Sequence, residues 1–216
     1  MSQASSRKNA VIILAVLLLP WGFYFFFASG KHHFKHLPVL GPFEISAGGD
    51  TVYHTIPDFA FVNQEGREIT QKDVEGKIYV ADFFFARCPS VCPKMAEQLQ
   101  RVQKEFAAER QLRILSHSVD PSNDSVPVLE AYGKKHLVNS AKWHLLTGDK
   151  KQISEIAVKG YLISAGGDGE QQSLHSTMLV LVDKSRRIRG FYDGTDPAAV
   201  DTLITEIKVL MAEYAP

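Results

Sequence analysis

Cysteine is scarce in this 216-residue chain, which contains only two. Two cysteines exclude a fold stapled by several disulfide bonds, so their role depends on where they lie in the fold and in the cell. An excess of charge is also absent, because 24 basic and 24 acidic residues give a formal net charge of zero. We therefore expect no nucleic-acid partner. Glycine and proline are too few to indicate disorder, and the sequence shows no internal repeats.

Charge is missing altogether from residues 10–28, which read AVIILAVLLLPWGFYFFFA. A run of this length is close to the roughly 20 apolar residues that an α-helix needs to cross a bilayer. A buried core helix would carry polar positions at helical spacing, and this run has none. The sequence therefore predicts one transmembrane helix over residues 10–28.

The residues that flank this run indicate its orientation. Arg7 and Lys8 precede it and no acid does, which favours a cytoplasmic N-terminus, whereas Lys31 and Lys35 beyond it oppose that orientation. Small residues at its end leave a cleaved signal peptide as the alternative, but the aromatic cluster there is more typical of an interfacial belt. We expect a single-pass protein of a bacterial inner membrane. Its C-terminal domain would lie in the periplasm, where disulfide chemistry is permitted.

The sequence predicts a cytoplasmic N-terminus at 1–9, the anchor at 10–28, a linker at 29–56 and one domain at 57–216. The linker is rich in Gly, Pro and His and has no sustained period. In the domain, apolar runs typical of strands alternate with segments whose apolar residues recur at helical spacing. The last elements of the domain are two strands followed by a helix. This order predicts an α/β fold in which helices cover a mixed sheet.

Both cysteines lie in the stretch CPSVCPKM, residues 88–95. The apolar run before them, residues 77–86, predicts a buried strand, and Pro93 with the apolar residues after it predicts a helix that starts at Cys92. A helix N-terminus stabilises an anion and so favours a thiolate. Positions i and i+4 share one helix face, so Cys88 and Cys92 can close a disulfide or bind one metal ion. Two inert core cysteines are the remaining alternative.

Two further side chains are candidates for chemistry. Asp82 lies inside the apolar run, where a carboxylate is costly unless it is paired or protonated. It either points to an exposed sheet edge, or it is buried below the thiols and handles protons during thiol–disulfide exchange. His175 stands just before an apolar strand, where most histidines are surface residues. Two thiolates and one imidazole suit copper, whereas zinc usually takes four ligands.

Four segments in this order, behind an N-terminal anchor, resemble the SCO/SenC family: DFFFARCPSVCPKM, SVDPSND, KWHLLTGD and LHSTMLVLVDKSRRIRGFYDG. The resemblance covers roughly residues 55–213. Its most specific feature is CxxxCP followed, at residue 175, by a histidine before a β-strand. It implies a thioredoxin-like fold and a membrane-tethered copper-binding protein that helps to assemble the copper centre of cytochrome c oxidase.

The resemblance also implies roles for particular residues. In that family two cysteines and a histidine bind copper, as Cu(I) or Cu(II), and these positions are Cys88, Cys92 and His175 here. Asp120, in SVDPSND, is expected to shape a loop at a strand end.

Three positions depart from the family's usual residues. Ser90 stands where an acid is common between the cysteines, and Leu174 stands where an aspartate often precedes the histidine. Asp82 occupies a position that is more often apolar, with the spacing to Cys88 that thioredoxins use for a buried acid. These differences favour a redox role.

Two functions therefore stay open. The first is a metallochaperone that delivers copper to an oxidase subunit or another copper or thiol protein. The second is an enzyme, a thiol–disulfide oxidoreductase that reduces a partner's cysteines with Cys88 or Cys92 as the nucleophile. The two are compatible, because a partner's copper site must be reduced before it is loaded. A peroxidase is not expected, since Phe85 stands where peroxidases of this fold carry Thr or Ser.

The remaining histidines carry weaker signals. His32, His33 and His36 in the linker could collect metal, although a solvated stretch beside the membrane is the simpler interpretation. His117 and His144 are interpreted as structural or surface groups.

Overall fold

The computed structural model describes residues 14, 16–21, 36–46, 48–163 and 176–215. It divides the chain into two units, Met1–Lys35 and His36–Pro216. The described residues of the first unit are helical and exposed. Most of the predicted anchor at 10–28 lies outside the described residues. Across the ranges that the structure describes, no helix is both long and apolar enough to cross a membrane.

A mixed sheet forms the centre of the second unit. Its strands are β3 (Ala60–Asn63), β4 (Glu68–Thr70), β5 (Ile78–Phe84), β6 (Leu112–Ser118), β7 (Trp143–Thr147), β8 (Met178–Val182) and β9 (Ile188–Asp193). The described strands stand in the order β4-β3-β7-β6-β5-β8-β9. The three central strands β5, β6 and β7 are parallel, and the outer strands pair antiparallel. The mixed sheet expected from the sequence is therefore confirmed.

Helices cover both faces of this sheet. They are α1 (Gln71–Val74), α2 (Val91–Glu105), α3 (Val126–Lys135), α4 (Lys150–Glu155), which continues as a π-helix (Ile156–Gly160), and α5 (Pro197–Glu213). Apolar residues of α2, α3 and α5 form one core cluster, and those of α1, α4 and the π-helix belong to a second cluster. Asp196 caps the start of α5, where its side chain accepts a hydrogen bond from the Ala198 N–H.

Strand β5 lies between β6 and β8, and all seven of its residues are buried. Successive side chains of a strand point to opposite faces. Accordingly, Ile78, Val80 and Phe84 join the first core cluster, whereas Tyr79 and Phe83 join the second. This explains the continuous apolar run in the sequence, since a strand covered on both faces has no polar side.

A small hairpin precedes the sheet, within residues 29–56 that were expected to form a linker. Strands β1 (Phe43–Ile45) and β2 (Thr51–Tyr53) pair antiparallel in a two-stranded sheet of their own. Each strand has three residues, too few to display a period. Just before the hairpin, the Leu40 N–H donates to the Ile188 carbonyl at 2.8 Å. The stretch after residue 35 is therefore attached to edge strand β9.

A buried arginine fixes the point where the chain enters the second unit. Arg189 Nη1 lies 3.0 Å from Asp183 Oδ2, and its Nη2 lies 2.7 Å from Glu213 Oε2. The guanidinium also donates to the carbonyls of Leu37 and Pro38, and the Leu37 N–H donates to Glu213 Oε1. We call these five residues the Arg189 clamp. It joins the entering chain to β9 and to the end of α5.

We expect Arg189→Ala to lower the free energy of unfolding by about 3–5 kcal/mol, because two buried carboxylates would lose their counter-ion. The side chains of Arg189, Asp183 and Glu213 are only 6%, 2% and 8% exposed. Urea denaturation of the full chain in detergent measures the change.

Arg186→Ala is the matched control for this experiment. Arg186 pairs with Asp58 at the surface, where their side chains are 36% and 70% exposed. Its loss should cost at most about 1 kcal/mol. Equal destabilisation by the two variants would contradict a special role for the clamp.

Candidate thiol and metal site

The two cysteines lie just beyond the C-terminal end of β5. Helix α2 begins at Val91, one residue before the start expected at Cys92, so Cys92 is its second residue. Cys88 lies in the turn before the helix, where its N–H donates to the Phe85 carbonyl at 3.1 Å. The expectation that both cysteines share one helix face is therefore wrong for Cys88. The turn, and not the helical period, brings them together.

The thiols are adjacent, free and largely buried. The Cys92 N–H donates to Cys88 Sγ at 3.4 Å. The two residues are 8% and 4% exposed, and no disulfide joins them. Because the N–H groups of the first helical turn have no partner within the helix, the Cys92 N–H is available to the sulfur of Cys88.

The surroundings make the two thiols chemically different. Burial opposes ionisation of Cys88, but hydrogen bonds from the Cys92 thiol and from the N–H groups of Cys92, Ser90 and Val91 hold its pKa below the usual value. Burial raises the pKa of Cys92 to about 12, and its hydrogen bond to Cys88 and the charge on Asp82 add to this. Cys88 is therefore the thiol that ionises first.

A neighbouring loop holds the chain in front of Cys88. The Ala86 N–H donates to Asp124 Oδ2 at 3.1 Å, and the Ser118 hydroxyl donates to the same oxygen. One residue further on, Arg87 Nη2 lies 2.9 Å from Asp120 Oδ2. The expectation that Asp120 shapes this loop agrees with these contacts. Asp124 was not predicted, although it ends the same motif, SVDPSND.

Asp82 is buried and is not at an exposed edge. It is 2% exposed and lies on β5, in the centre of the sheet. The strand's alternation turns it toward the same face as Val80 and Phe84, whose core cluster contains both cysteines. The Ser116 hydroxyl donates to Asp82 Oδ1 and accepts from Trp143 Nε1 at 2.8 Å. Ser116 and Trp143 were missed by sequence reasoning, because only strand pairing brings them beside Asp82.

The environment of Asp82 alters its ionisation. Burial raises the pKa of Asp82 to about 7, although the hydrogen bond from Ser116 lowers it in part. A carboxyl group near neutrality can both take up and release a proton at physiological pH. Tyr132 on α3 packs against Phe84 with ring centroids 5.0 Å apart. Its pKa is raised by burial and then by the charges of Asp82 and the two cysteines.

His175 lies outside the described residues, so its position is not given. Ser176, one residue later, is described, and β8 begins at Met178. Because β8 runs antiparallel to β5, with Ala81 opposite Val180, β8 begins at the end of the sheet where β5 ends. Among the residues that the structure describes, no group of three or more His, Cys, Asp or Glu side chains could hold a metal ion.

The other histidines have separate environments. His36 Nδ1 lies 3.8 Å from Glu213 Oε2, next to the clamp, whereas His32 and His33 lie outside the described residues. His117 is fully buried among aromatic rings, and burial lowers its pKa to about 3. His144 is also buried, with Nδ1 3.5 Å from the Asn63 amide nitrogen. Both are therefore core residues, as one of the two interpretations predicted.

Together, these features define the class of protein: a thioredoxin-like domain with a pair of free thiols where its central strand meets a helix. Residues 48–212 match the model of the family described as SCO1/SenC. The chain belongs to the SCO1/SenC family, as the sequence motifs predicted.

Individual relatives agree with this assignment. The chain is 30% identical over 162 residues to the SCO1 protein homolog of Bacillus subtilis, covering 74% of this chain and 84% of that protein. It is 28% identical, with a TM-score of 0.65, to BsSco, whose structure is described as identifying a disulfide switch in a member of the Sco family of cytochrome c oxidase assembly proteins. That match covers 76% of this chain and 96% of BsSco.

A copper-bound relative shares the fold. The crystal structure of ScoI from Arabidopsis thaliana with copper bound has a TM-score of 0.59 to this chain at 24% identity. The match covers 73% of this chain and 98% of that one. At this identity the comparison supports the shared thioredoxin-like fold.

We expect Asp82→Asn to shift the second thiol alkylation to lower pH. Above pH 7 the wild-type carboxylate is ionised and opposes ionisation of Cys92, and the amide removes that charge. Below pH 7 Asp82 is protonated and the two proteins should react alike. Mass spectrometry of iodoacetamide adducts between pH 5 and pH 10 measures the profile.

Asp201→Asn serves as the control, because this carboxylate is 64% exposed and pairs with Arg101 on the surface. It should reproduce the wild-type profile. A profile for Asp82→Asn that matches wild type throughout would show that Asp82 has no influence on the thiols.

Proposed function

We propose that this protein is a membrane-anchored copper-binding factor that helps to assemble the copper centre of cytochrome c oxidase. The observation that carries the proposal is the pair of adjacent free thiols at the start of α2, in a chain of the SCO1/SenC family. BsSco is described as a member of a family of cytochrome c oxidase assembly proteins, and the ScoI structure contains copper.

The donor set suits copper as cargo. Cys88 and Cys92 supply two sulfur ligands, and Cu(I) prefers soft sulfur. The lowered pKa of Cys88 favours the thiolate form that binds metal. His175 is proposed as the third ligand, and its imidazole would favour Cu(II). This proposal is supported by the start of β8, which lies at the same end of the sheet as the thiols.

The same thiols support a second activity, the reduction of a partner's disulfide. The Cys88 thiolate attacks one sulfur of that disulfide, and the other sulfur leaves as a thiolate. Cys92 loses its proton to Asp82 and attacks Cys88, which forms the Cys88–Cys92 disulfide and releases the partner's second thiolate. Two electrons pass to the partner, whose reduced cysteines can then accept copper. Cys92 is suited to the second step because its raised pKa keeps it as an unreactive thiol until a base removes its proton.

The uncharged run at 10–28 is proposed as the membrane anchor. It would place residues 31–216 outside the cytoplasm of a bacterium, on the periplasmic side of the inner membrane. In that compartment the thiols can cycle between reduced and oxidised states. The partner would be a copper-containing oxidase subunit or another copper or thiol protein.

We expect the full chain to form a reversible Cys88–Cys92 disulfide. Oxidation followed by alkylation should give a species that lacks two hydrogens and carries no alkyl group, and a dithiol reductant should restore both alkylation sites. Mass spectrometry reads out both states.

Cys92→Ser is the control for this reaction, since it leaves the more acidic thiol without a partner. It should remain alkylatable or form dimers between chains. If both thiols of wild type are still alkylated after full oxidation, the pair is not a redox couple.

The His175→Ala variant separates a copper carrier from a pure reductase. It removes an imidazole ligand and leaves both sulfurs, so copper affinity should fall at least about tenfold, because losing even a residue that only hydrogen-bonds to a ligand typically costs that much. The loss should be larger for Cu(II) than for Cu(I), because Cu(I) can remain on two thiolates. Disulfide exchange with a dithiol partner should survive. Titration of the full chain with each copper state, beside an exchange assay, measures both properties.

His36→Ala is the matched histidine control, because its side chain is 81% exposed and lies beside the clamp. It should bind copper as wild type does. Wild-type affinity of His175→Ala for both copper states would exclude His175 as a ligand and remove the main support for copper transfer.

A further inference from the structure

Two buried polar side chains stand in a row with Asp82 across the centre of the sheet. Asp82 on β5 lies opposite Ser116 on β6 in the strand pairing. Trp143 Nε1 lies 2.8 Å from Ser116 Oγ, and the Ser116 hydroxyl donates to Asp82 Oδ1. Asp82, Ser116 and Trp143 are 2%, 1% and 1% exposed. A hydroxyl and an indole N–H are costly to bury without partners, and here both find them within this row. We call Ser116 and Trp143 the donor pair.

The chemistry of the three groups fixes the direction of both hydrogen bonds. An indole N–H can only donate, so Ser116 Oγ accepts from Trp143. A serine hydroxyl has a single proton, and among the described residues Asp82 Oδ1 is its only acceptor. Because a buried donor without an acceptor is costly, that proton stays on the bond to Oδ1 whether Asp82 is charged or neutral. Oδ1 therefore remains an acceptor, and the proton of the neutral carboxyl group resides on Oδ2.

The second oxygen of Asp82 is not held in this way. Within the part of the chain that the structure describes, no residue forms a hydrogen bond with Asp82 Oδ2. The side chain points to the sheet face whose core cluster contains Cys88 and Cys92. The charge of Asp82 raises the pKa of Cys92, so the two groups are coupled electrostatically. Oδ2 is therefore the oxygen that is free to take up a proton on the thiol face.

We propose that the donor pair positions Asp82 so that Oδ2 takes the proton of Cys92 during disulfide exchange. The inference rests on the proposed function, in which Cys92 loses its proton and attacks Cys88. The S–H bond of Cys92 breaks, an O–H bond forms at Oδ2, and the electron pair stays on the sulfur. That pair forms the bond to Cys88, and the bond between Cys88 and the partner's sulfur breaks. Ser116 and Trp143 are positioning residues, since they act through Asp82.

The other titratable groups around Asp82 do not compete for this proton near neutral pH. Cys92 on α2, Tyr132 on α3 and Tyr161 after the π-helix are each affected by the Asp82 charge. Burial raises the pKa of both phenols above the usual value, so they stay protonated. Once Cys88 is bonded to the partner's sulfur, it has no proton to lose. The pH dependence of the second step therefore reports on Asp82 and Cys92.

Ellman's reagent, 5,5′-dithiobis(2-nitrobenzoate), separates the two steps in the full chain in detergent. The Cys88 thiolate attacks the reagent and releases one coloured thiolate, and Cys92 then displaces the second one from Cys88. Stopped-flow absorbance measures both rates between pH 5 and pH 9. The second rate should rise with pH as Asp82 ionises, because the ionised carboxylate is the proton acceptor.

Ser116→Ala should slow the second step about tenfold at pH 6 and little at pH 9. Loss of its hydrogen bond destabilises the carboxylate, so Asp82 ionises at higher pH and the midpoint of the profile moves up. Trp143→Phe should slow the second step about threefold at pH 6, because the indole N–H polarises the hydroxyl and strengthens its bond to Asp82. Ser116→Thr keeps a hydroxyl and should retain the wild-type midpoint.

Two controls separate positioning from a general weakening of the core. Tyr79→Phe removes a buried hydroxyl from the opposite face of β5 and should leave both rates unchanged. In an Asp82→Asn background, Ser116→Ala should change the second rate by less than about twofold, since its effect passes through Asp82. An unchanged first step shows that each variant keeps its folded thiol site. Equal slowing by Ser116→Ala at every pH, or its full effect in the Asp82→Asn background, would overturn the inference.

The outcomes also distinguish this inference from the proposed function. If wild type releases two coloured thiolates and Ser116→Ala keeps the wild-type profile, the thiol couple stands and the donor pair has no role in it. If wild type releases only one, the thiols are not a redox couple, and the inference fails together with the reductase activity. Copper titration decides the copper-binding role in either case.

Discussion

Strand β5 is covered on both faces and paired on both edges, and the candidate site depends on that arrangement. Its neighbours β6 and β8 fix where it ends, and the thiol turn begins there. The same burial surrounds Asp82 with low-dielectric protein, which raises its pKa to about 7. The burial of β5 on both faces therefore positions the thiols at its end and keeps a titratable acid beside them.

The start of α2 makes the two thiols unequal. Cys88 accepts hydrogen bonds from the backbone N–H groups of Cys92 and its neighbours, which stabilise its thiolate. Burial instead keeps Cys92 protonated. A single low-pKa thiol suits both the first attack on a disulfide and the first bond to a metal ion. This is a physical reason for copper binding and thiol exchange to share one site in the proposed function.

The domain has two distinct ends. At one end, two loops and a helix start surround the cysteines, and Asp124 and Asp120 hold the chain in front of them. At the other end, the Arg189 clamp joins the entering chain to β9 and α5, beside the β1–β2 hairpin. In our proposed function the first end handles copper and electrons, and the length of β5 separates it from the clamp.

Local sequence patterns were sufficient to predict several elements around the thiol site. The apolar run of β5 and the helix that begins next to Cys92 each depend on residues close together in the chain, so the sequence could reveal them. The β1–β2 hairpin was missed because three-residue strands have no measurable period. The sequence could not decide whether Asp82 is buried, because its exposure depends on whether other strands flank β5.

The sequence by itself determined the family, the alternation of strands and helices after residue 57, and the identity of the two thiols, because each of these is encoded in motifs or short-range periodicity. Only the tertiary structure decided that a turn, not a shared helix face, joins Cys88 to Cys92. It alone placed Ser116 and Trp143 beside Asp82, and Leu37 beside Arg189. These contacts join residues that are far apart in the chain, and sheet pairing, which no local pattern specifies, brings them within hydrogen-bonding distance.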